Sequence, residues 1–324
     1  MAMIELRLFL TVFIASTSLN LFSQVDQNLV DQFASSYASK HNVSLSEVKE
    51  ILSAATYQPS IVEKMDRPAE KKLYWNQYRN IFLTQERIDA GIEFVTKHQY
   101  VLEQVSEQTG VPQEIIAAII GVETYFGRIK GNYRVLDALY TLSFAYPRRA
   151  KYFQSELEEY ISLTKKENLN IYDLKGSYAG AIGYCQFMPS SYRAYAVSFD
   201  EGSRDLVHSP EDAIASVANY LKVHRWKRGV PIASQANVSE GAEPHAQNSP
   251  KANNIVAHYV EKGYRPNSNW HPQTSVALMQ FESENTNEYW FGTENFYVIT
   301  RYNHSPLYAL AVFQLAQEIK AATP

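Results

Sequence analysis

The chain has 324 residues, of which 45% are hydrophobic, 20% charged and 13% aromatic, with a net charge of −4 and a pI near 6.1. These values suit a globular protein with a sizeable core, in one large domain or two modest ones; an acidic balance with scattered Lys and Arg argues against a nucleic-acid binder. Tyrosine is over-used, at 23 copies, which serves sugar binding and amphipathic interior edges equally well.

Residues 8–15 form a short apolar run after Arg7, followed by Ser16, Thr17 and Ser18. The run is too short to span a bilayer, so 1–23 is predicted to be a signal peptide, with an uncleaved anchor as the alternative. The only cysteine, Cys185, lies far downstream. No lipid-attachment cysteine follows the run and no internal disulfide is possible, so a periplasmic protein standing on packing alone is expected.

Residues 26–72 read as an N-terminal helical lead-in. Val30, Phe33 and Tyr37 sit at helical spacing, Ser44 and Glu47 are placed like a capping box, and 57–72 is a polar, Pro-containing connector. From 84 to 108 the apolar spacing predicts one long helix or two consecutive ones. Gly110 then breaks the pattern, and Pro112 starts a helix to about Phe126. Its centre, Ile115 to Ile120, is apolar on every face and should cross the core. Further helices are expected over 147–165 and 210–224, and a last one from Ser305-Pro306 to about Lys320. Residues 234–251 are polar and aperiodic, which predicts a flexible surface insertion. Strands are expected at 275–281 and 296–299.

Glu123 follows the apolar helix centre. A carboxyl group in apolar surroundings tends to stay protonated and can act as a general acid, as cleavage of a glycosidic bond requires. By position alone, a glutamate emerging into solvent at a helix end explains it as well. In the Gly176–Ser191 segment three glycines permit close backbone approach, and Ser177 and Gln186 could point into a cleft; an irregular turn is the bland alternative. Arg148 and Arg149 stand at a helix start, where cations oppose the dipole, so either an anion binds nearby or they are plain surface residues. Tyr302, Asn303 and His304 lie at a junction that could line a pocket or merely cap a helix. No Ser/His/Asp arrangement and no metal-ligand spacing of the eight histidines is identifiable, so no metal site is expected.

Six separated blocks together resemble the lytic transglycosylase B family over roughly Tyr74 to Ala321. They are Ile120–Thr124, Leu136–Leu139 with Thr141–Phe144, Tyr146–Ala150, Lys175–Tyr192, Ser216–Tyr220 and Val298–Ser305. The resemblance implies a mainly α (α+β) protein: a lysozyme-like catalytic core over 73–324, with additional helices and a small β element. It implies a cleft for alternating N-acetylglucosamine and N-acetylmuramic acid, with Glu123 as the sole catalytic carboxyl group. It also implies that Tyr78, Arg148, Arg149, Ser177, Gln186, Tyr220, Tyr302, Asn303 and Tyr308 bind substrate. The implied chemistry is non-hydrolytic: Glu123 acts as acid and then base, and the sugar's own 6-hydroxyl closes a 1,6-anhydro ring.

The expected partners are peptidoglycan glycan strands and other cell-wall enzymes, with a monomeric state. Some members of the family carry a calcium loop after the Gln-Phe-Met-Pro block. Here Gly202 and Arg204 replace oxygen ligands, so no cofactor is expected, with calcium held by Asp200 and Asp212 as the alternative. Two rivals stay open: a wall-binding scaffold without catalysis, and a muramidase that would need a second carboxylate such as Asp137 or Asp173.

Overall fold

A computed structural model describes residues 25–66, 73–200, 202–284 and 286–322. The expected signal peptide and the end of the connector, 67–72, lie outside the described residues.

The chain begins with α1 (Gln27–His41) and α2 (Leu45–Ser53). Ser44 caps α2 by accepting from the backbone of Ser46, while Glu47 reaches Lys165 at 3.7 Å. The connector is not wholly irregular: Pro59–Asp66 forms α3, with Ile61 buried. Proline opens that helix and a single apolar anchor holds it, too little for periodicity to reveal.

Next come α4 (Trp75–Phe82), then α5 (Gln85–Lys97) and α6 (Gln99–Thr109), the second of the two readings of 84–108. Gly110 ends α6 in the left-handed conformation, at φ 76°. Helix α7 (Gln113–Thr124) is the central rod, and its six apolar residues Ile115 to Ile120 are all at most 1% exposed. It stops two residues earlier than expected, because Tyr125 and Phe126 both turn left-handed, at φ 51° and 57°.

Strand β1 (Tyr133–Arg134) leads into α8 (Val135–Ala145), every residue of which is buried. A 3-10 turn at Pro147–Arg149 opens α9 (Ala150–Lys166), which packs on α8. Strand β2 (Lys175–Gly176) pairs antiparallel with β1. Short α10 (Pro189–Tyr195) and α11 (Pro210–Val223) follow, the latter capped by Ser209 onto the Asp212 backbone. Helix α11 packs on α6 and α7.

The remaining elements are β3 (Ala233–Val238), β4 (Asn254–Ile255), α12 (Val256–Glu261), β5 (Tyr264–Pro266), β6 (Ser275–Glu282), β7 (Asn287–Gly292), α13 (Glu294–Tyr302) and α14 (Pro306–Ala322). An antiparallel sheet runs in the order β4-β6-β7-β3-β5. On β6 the residues alternate between two cores: Ala277, Met279 and Phe281 face the main helical core side, and Val276 and Leu278 join a small cluster with Tyr259, Tyr264 and Phe291. A strand buried on both faces reads as a continuous apolar run.

Two expectations fail here. Residues 234–238 are not a flexible insertion but part of β3, held between β7 and β5 by backbone pairing. The rest of that stretch is irregular, yet the His245 Nε2–H donates to the Leu278 carbonyl, at 2.7 Å. And 296–299 is helical, within α13, where Thr293 caps the first turn. No helix among the described residues is long and apolar enough to cross a membrane.

Candidate active site

Glu123 occupies the last turn of α7 and is half-buried. Thr124 fixes this helix end. Its hydroxyl contacts the carbonyls of Ile120 (3.1 Å) and Tyr184 (3.2 Å) and accepts from the Gly127 backbone (3.0 Å), tying α7 to the glycine-rich segment. The sequence marked Glu123 and passed over Thr124, although a buried hydroxyl at a helix terminus is a usual tether for the next loop.

The Glu123 carboxylate accepts a 2.7 Å hydrogen bond from the hydroxyl of Tyr308, in the first turn of α14. Burial first, and the Glu123 charge second, push the Tyr308 phenol well above its ordinary value. It therefore stays a neutral donor. Tyr78 of α4 lies close enough to add to the same shift. Tyr302, at the end of α13, turns its hydroxyl inward onto the carbonyl of Cys185 at 2.7 Å. Burial and the neighbouring Cys185 and Glu123 raise its phenol in the same sense. The Tyr302 and Tyr308 rings lie parallel with centroids 6.4 Å apart, and Tyr220 packs against Tyr302 at 4.8 Å. Phe187, Tyr195 and His224 back this aromatic wall around Tyr220. The sequence did not single out these three.

The glycine-rich segment folds on itself through bridges between Gly176 and Ile182 and between Ile182 and Phe187. Ser177 accepts from the Ala179 and Ala181 backbones through its hydroxyl, at 3.3 and 3.0 Å. Gln186 has a positive φ of 48° and donates its amide to the carbonyls of Gly183 (2.9 Å) and Lys130 (3.2 Å). Gly183 is required there: its φ is 68°, and a Cβ would sit 2.0 Å from the Leu206 carbonyl.

Glu123, Tyr308, Tyr302, Tyr220, Tyr78 and the Cys185-Gln186 backbone thus come together. Ser177 belongs to the adjoining loop, and half-buried Asn303 caps the end of α13 next to Tyr302. Arg148 and Arg149 are exposed at the 3-10 turn; Arg148 pairs with Asp66 at 3.1 Å, and Arg149 lies over the Tyr152 ring at 4.3 Å.

The carboxylates weighed as companions to Glu123 are otherwise engaged. Asp137 is buried, accepts from the Thr56 backbone at 2.9 Å and pairs with Arg134 at 3.3 Å. Asp173 is exposed and accepts from Asn170 at 2.7 Å.

The two candidate calcium ligands both accept hydrogen bonds within the protein. Asp212 accepts backbone N–H groups from Phe199 and Asp205, both at 2.8 Å, and Asp200 accepts from Ser198 (2.8 Å) and Gly202 (3.0 Å). Arg204 brings a guanidinium into the same loop, paired with Glu167.

The fold and the site define an enzyme with a lysozyme-like core. Residues 25–317 match the family model described as the transglycosylase SLT domain, and the chain belongs to that family. It is 40% identical over 300 residues to the membrane-bound lytic murein transglycosylase B of Escherichia coli K12, covering 90% of this chain and 82% of that protein. The crystal structure of the soluble lytic transglycosylase SltB1 from Pseudomonas aeruginosa superposes with a TM-score of 0.84 at 42% identity, over 90% of this chain and 98% of that one. SltB3 from the same organism, solved with a NAG-anhNAM-pentapeptide, gives a TM-score of 0.81 at 25% identity, over 93% and 82% of the two chains.

Proposed function

We propose that this protein is a lytic transglycosylase that cleaves the β-1,4 bond between N-acetylmuramic acid and N-acetylglucosamine in peptidoglycan, with Glu123 as its acid and base. The observation that carries the assignment is the 2.7 Å bond from neutral Tyr308 to a half-buried Glu123 beside an aromatic wall. Protonated Glu123 gives its proton to the bridging oxygen as the bond to muramic-acid C1 breaks. The oxocarbenium-like centre is then closed by the same sugar's O6, whose proton passes to the Glu123 carboxylate. No water is consumed, and the acid form of the glutamate is restored. An internal nucleophile is already in position, which removes the need for a second carboxylate to activate water. The engagement of Asp137 and Asp173 elsewhere supports this over hydrolysis.

In this reading half-buried Tyr302 is the part of the aromatic wall that meets the sugar, with buried Tyr78, Tyr220 and Tyr308 packed behind it. Ser177, Gln186 and Asn303 edge the groove. Arg148 and Arg149 act at its rim, on substrate carboxylates, rather than at the reacting bond. The enzyme works in the periplasm as a monomer on glycan strands, alongside other cell-wall enzymes.

Mass spectrometry of sacculi digested in 18O-water provides the test. The expected products are anhydro-muropeptides without label, absent from Glu123→Gln digests. Labelled reducing ends, or anhydro products from the Glu123→Gln variant, overturn the assignment.

A further inference from the structure

Helices α4 and α14 each present one face to the reacting groups and another to a separate cavity. Tyr78 and Tyr308 lie on the first face. A helix turns by about 100° per residue. Asn76 and Asn80 on α4, and Gln317 on α14, therefore point roughly opposite to those tyrosines. There they line a cavity of about 440 Å³ closed on its other side by β3 and β7. That volume falls within the roughly 300–1,000 Å³ range of small-ligand sites.

The lining chemistry is selective. Gln235, Gln314 and Gln317 bring amide groups that both donate and accept, while Trp290 and Phe313 bring aromatic carbon. Several of these groups are held in place. Arg79 donates to the Gln314 side-chain oxygen at 2.7 Å, and the Trp290 indole donates to Glu288 at 3.0 Å. The Trp290 and Phe313 rings meet edge to face at 6.3 Å. Amides beside aromatic rings match a ligand with hydroxyl and acetamido groups on one side and C–H bonds on the other. The charges select further. Glu288 and Glu318 outnumber Arg79, whose guanidinium is already directed at Gln314, so an anionic ligand such as a phosphate or a muramic-acid carboxylate is disfavoured.

We propose that this cavity is a second, non-catalytic carbohydrate site that takes a neutral N-acetylated sugar of the N-acetylglucosamine type. Facing away from Glu123, it holds a glycan other than the one being cut and keeps the enzyme on its polymer between cleavages. The identity of the polymer rests on the transglycosylase reading; the binding itself does not require turnover.

The chain has four tryptophans, so its indole N–H groups give four resolvable NMR signals, and Trp290→Phe identifies the one at the cavity. The probe is N,N′,N″-triacetylchitotriose, titrated into the Glu123→Gln protein. The Trp290 signal is expected to move saturably, with the exposed Gln317→Ala change weakening that transition about fivefold to tenfold, as the loss of one hydrogen-bonding side chain predicts. The aromatic-wall signals of Tyr220 and Tyr302 serve as an internal record of cleft binding. Movement of the wall signals with Trp290 silent to about 10 mM, a concentration far above most ligand dissociation constants, overturns the proposal. So does a Trp290 transition that Gln317→Ala leaves unchanged. Either result leaves the anhydro-product assay untouched.

Discussion

Replacing Tyr308 by Phe removes one oxygen from a residue that is 2% exposed and whose hydroxyl lies 2.7 Å from Glu123. A hydrogen bond to a charged group contributes about 1.5–3 kcal/mol, and 1.36 kcal/mol is a factor of ten in rate. If the bond holds the carboxyl group in its working position, kcat falls by roughly ten- to 150-fold. KM should barely move, because the lost contact is to the glutamate. Tyr302→Phe is the control: it deletes a hydroxyl that bonds the Cys185 carbonyl instead, so its effect should come through the loop and be smaller. Initial rates of anhydro-muropeptide release give both parameters, and thermal melts confirm that each variant is folded. A Tyr308→Phe enzyme that melts like the parent and turns over within about twofold of it would refute the reasoning, since even the weakest such bond contributes more than that.

Alkaline stability follows from the tyrosines. Tyr160, Tyr192, Tyr220, Tyr302 and Tyr308 all have phenols raised in the folded state, in each case chiefly by burial. Below pH ~10 both states hold these protons and nothing is lost; above it only the unfolded chain releases them, so stability falls as pH rises. Five groups at about 1.4 kcal/mol per pH unit each give roughly 7 kcal/mol per unit, comparable to a whole domain's stability. Circular dichroism should therefore find unfolding within one to two units above pH ~10, and a melting temperature at pH ~11.5 close to that at pH ~8 counts against this account. Gly183→Ala forces a side chain onto a φ of 68° and into the Leu206 carbonyl, and should cost at least about 2 kcal/mol, a fall of several degrees in Tm. Millimolar calcium or a chelator should leave Tm unchanged, because Asp200 and Asp212 already accept N–H donors; a rise of several degrees with calcium refutes the loop assignment.

What was legible in the sequence follows which forces act locally. Helices α5, α6, α7, α11 and α14 announce themselves through periodicity, a glycine stop or a serine cap, and those signals survive folding. Helix α8 was not assigned from its own residues, since a helix buried all round has no polar face to create a pattern. At 234–238 the sequence predicts a loop, because Ser234, Gln235 and Asn237 leave only Ala236 and Val238 as apolar side chains; the backbone is recruited by β7 and β5. In α13 the run Tyr297-Val298-Ile299-Thr300 favours a strand by local preference, yet Thr293 caps a helix and buries Val298 and Ile299. For the site, the apolar helix centre points to Glu123 and the strand-helix junction to Tyr302, whereas Tyr78, Tyr220 and Tyr308 enter only through the six-block resemblance. The contact that unites Glu123 with Tyr308 spans 185 positions, beyond any spacing argument.

One consequence concerns the single cysteine. Cys185 is fully buried, its thiol 3.5 Å from the Ala213 carbonyl, and burial together with the Glu123 charge holds it far above the ordinary thiol range. Almost none of it is thiolate, the form that alkylates or oxidises. Its own backbone carries the Tyr302 hydroxyl, so a reagent can reach the sulfur only after the tyrosine layer has come apart. The rate of covalent tagging at this atom is therefore a clock for the lifetime of the assembled catalytic chamber.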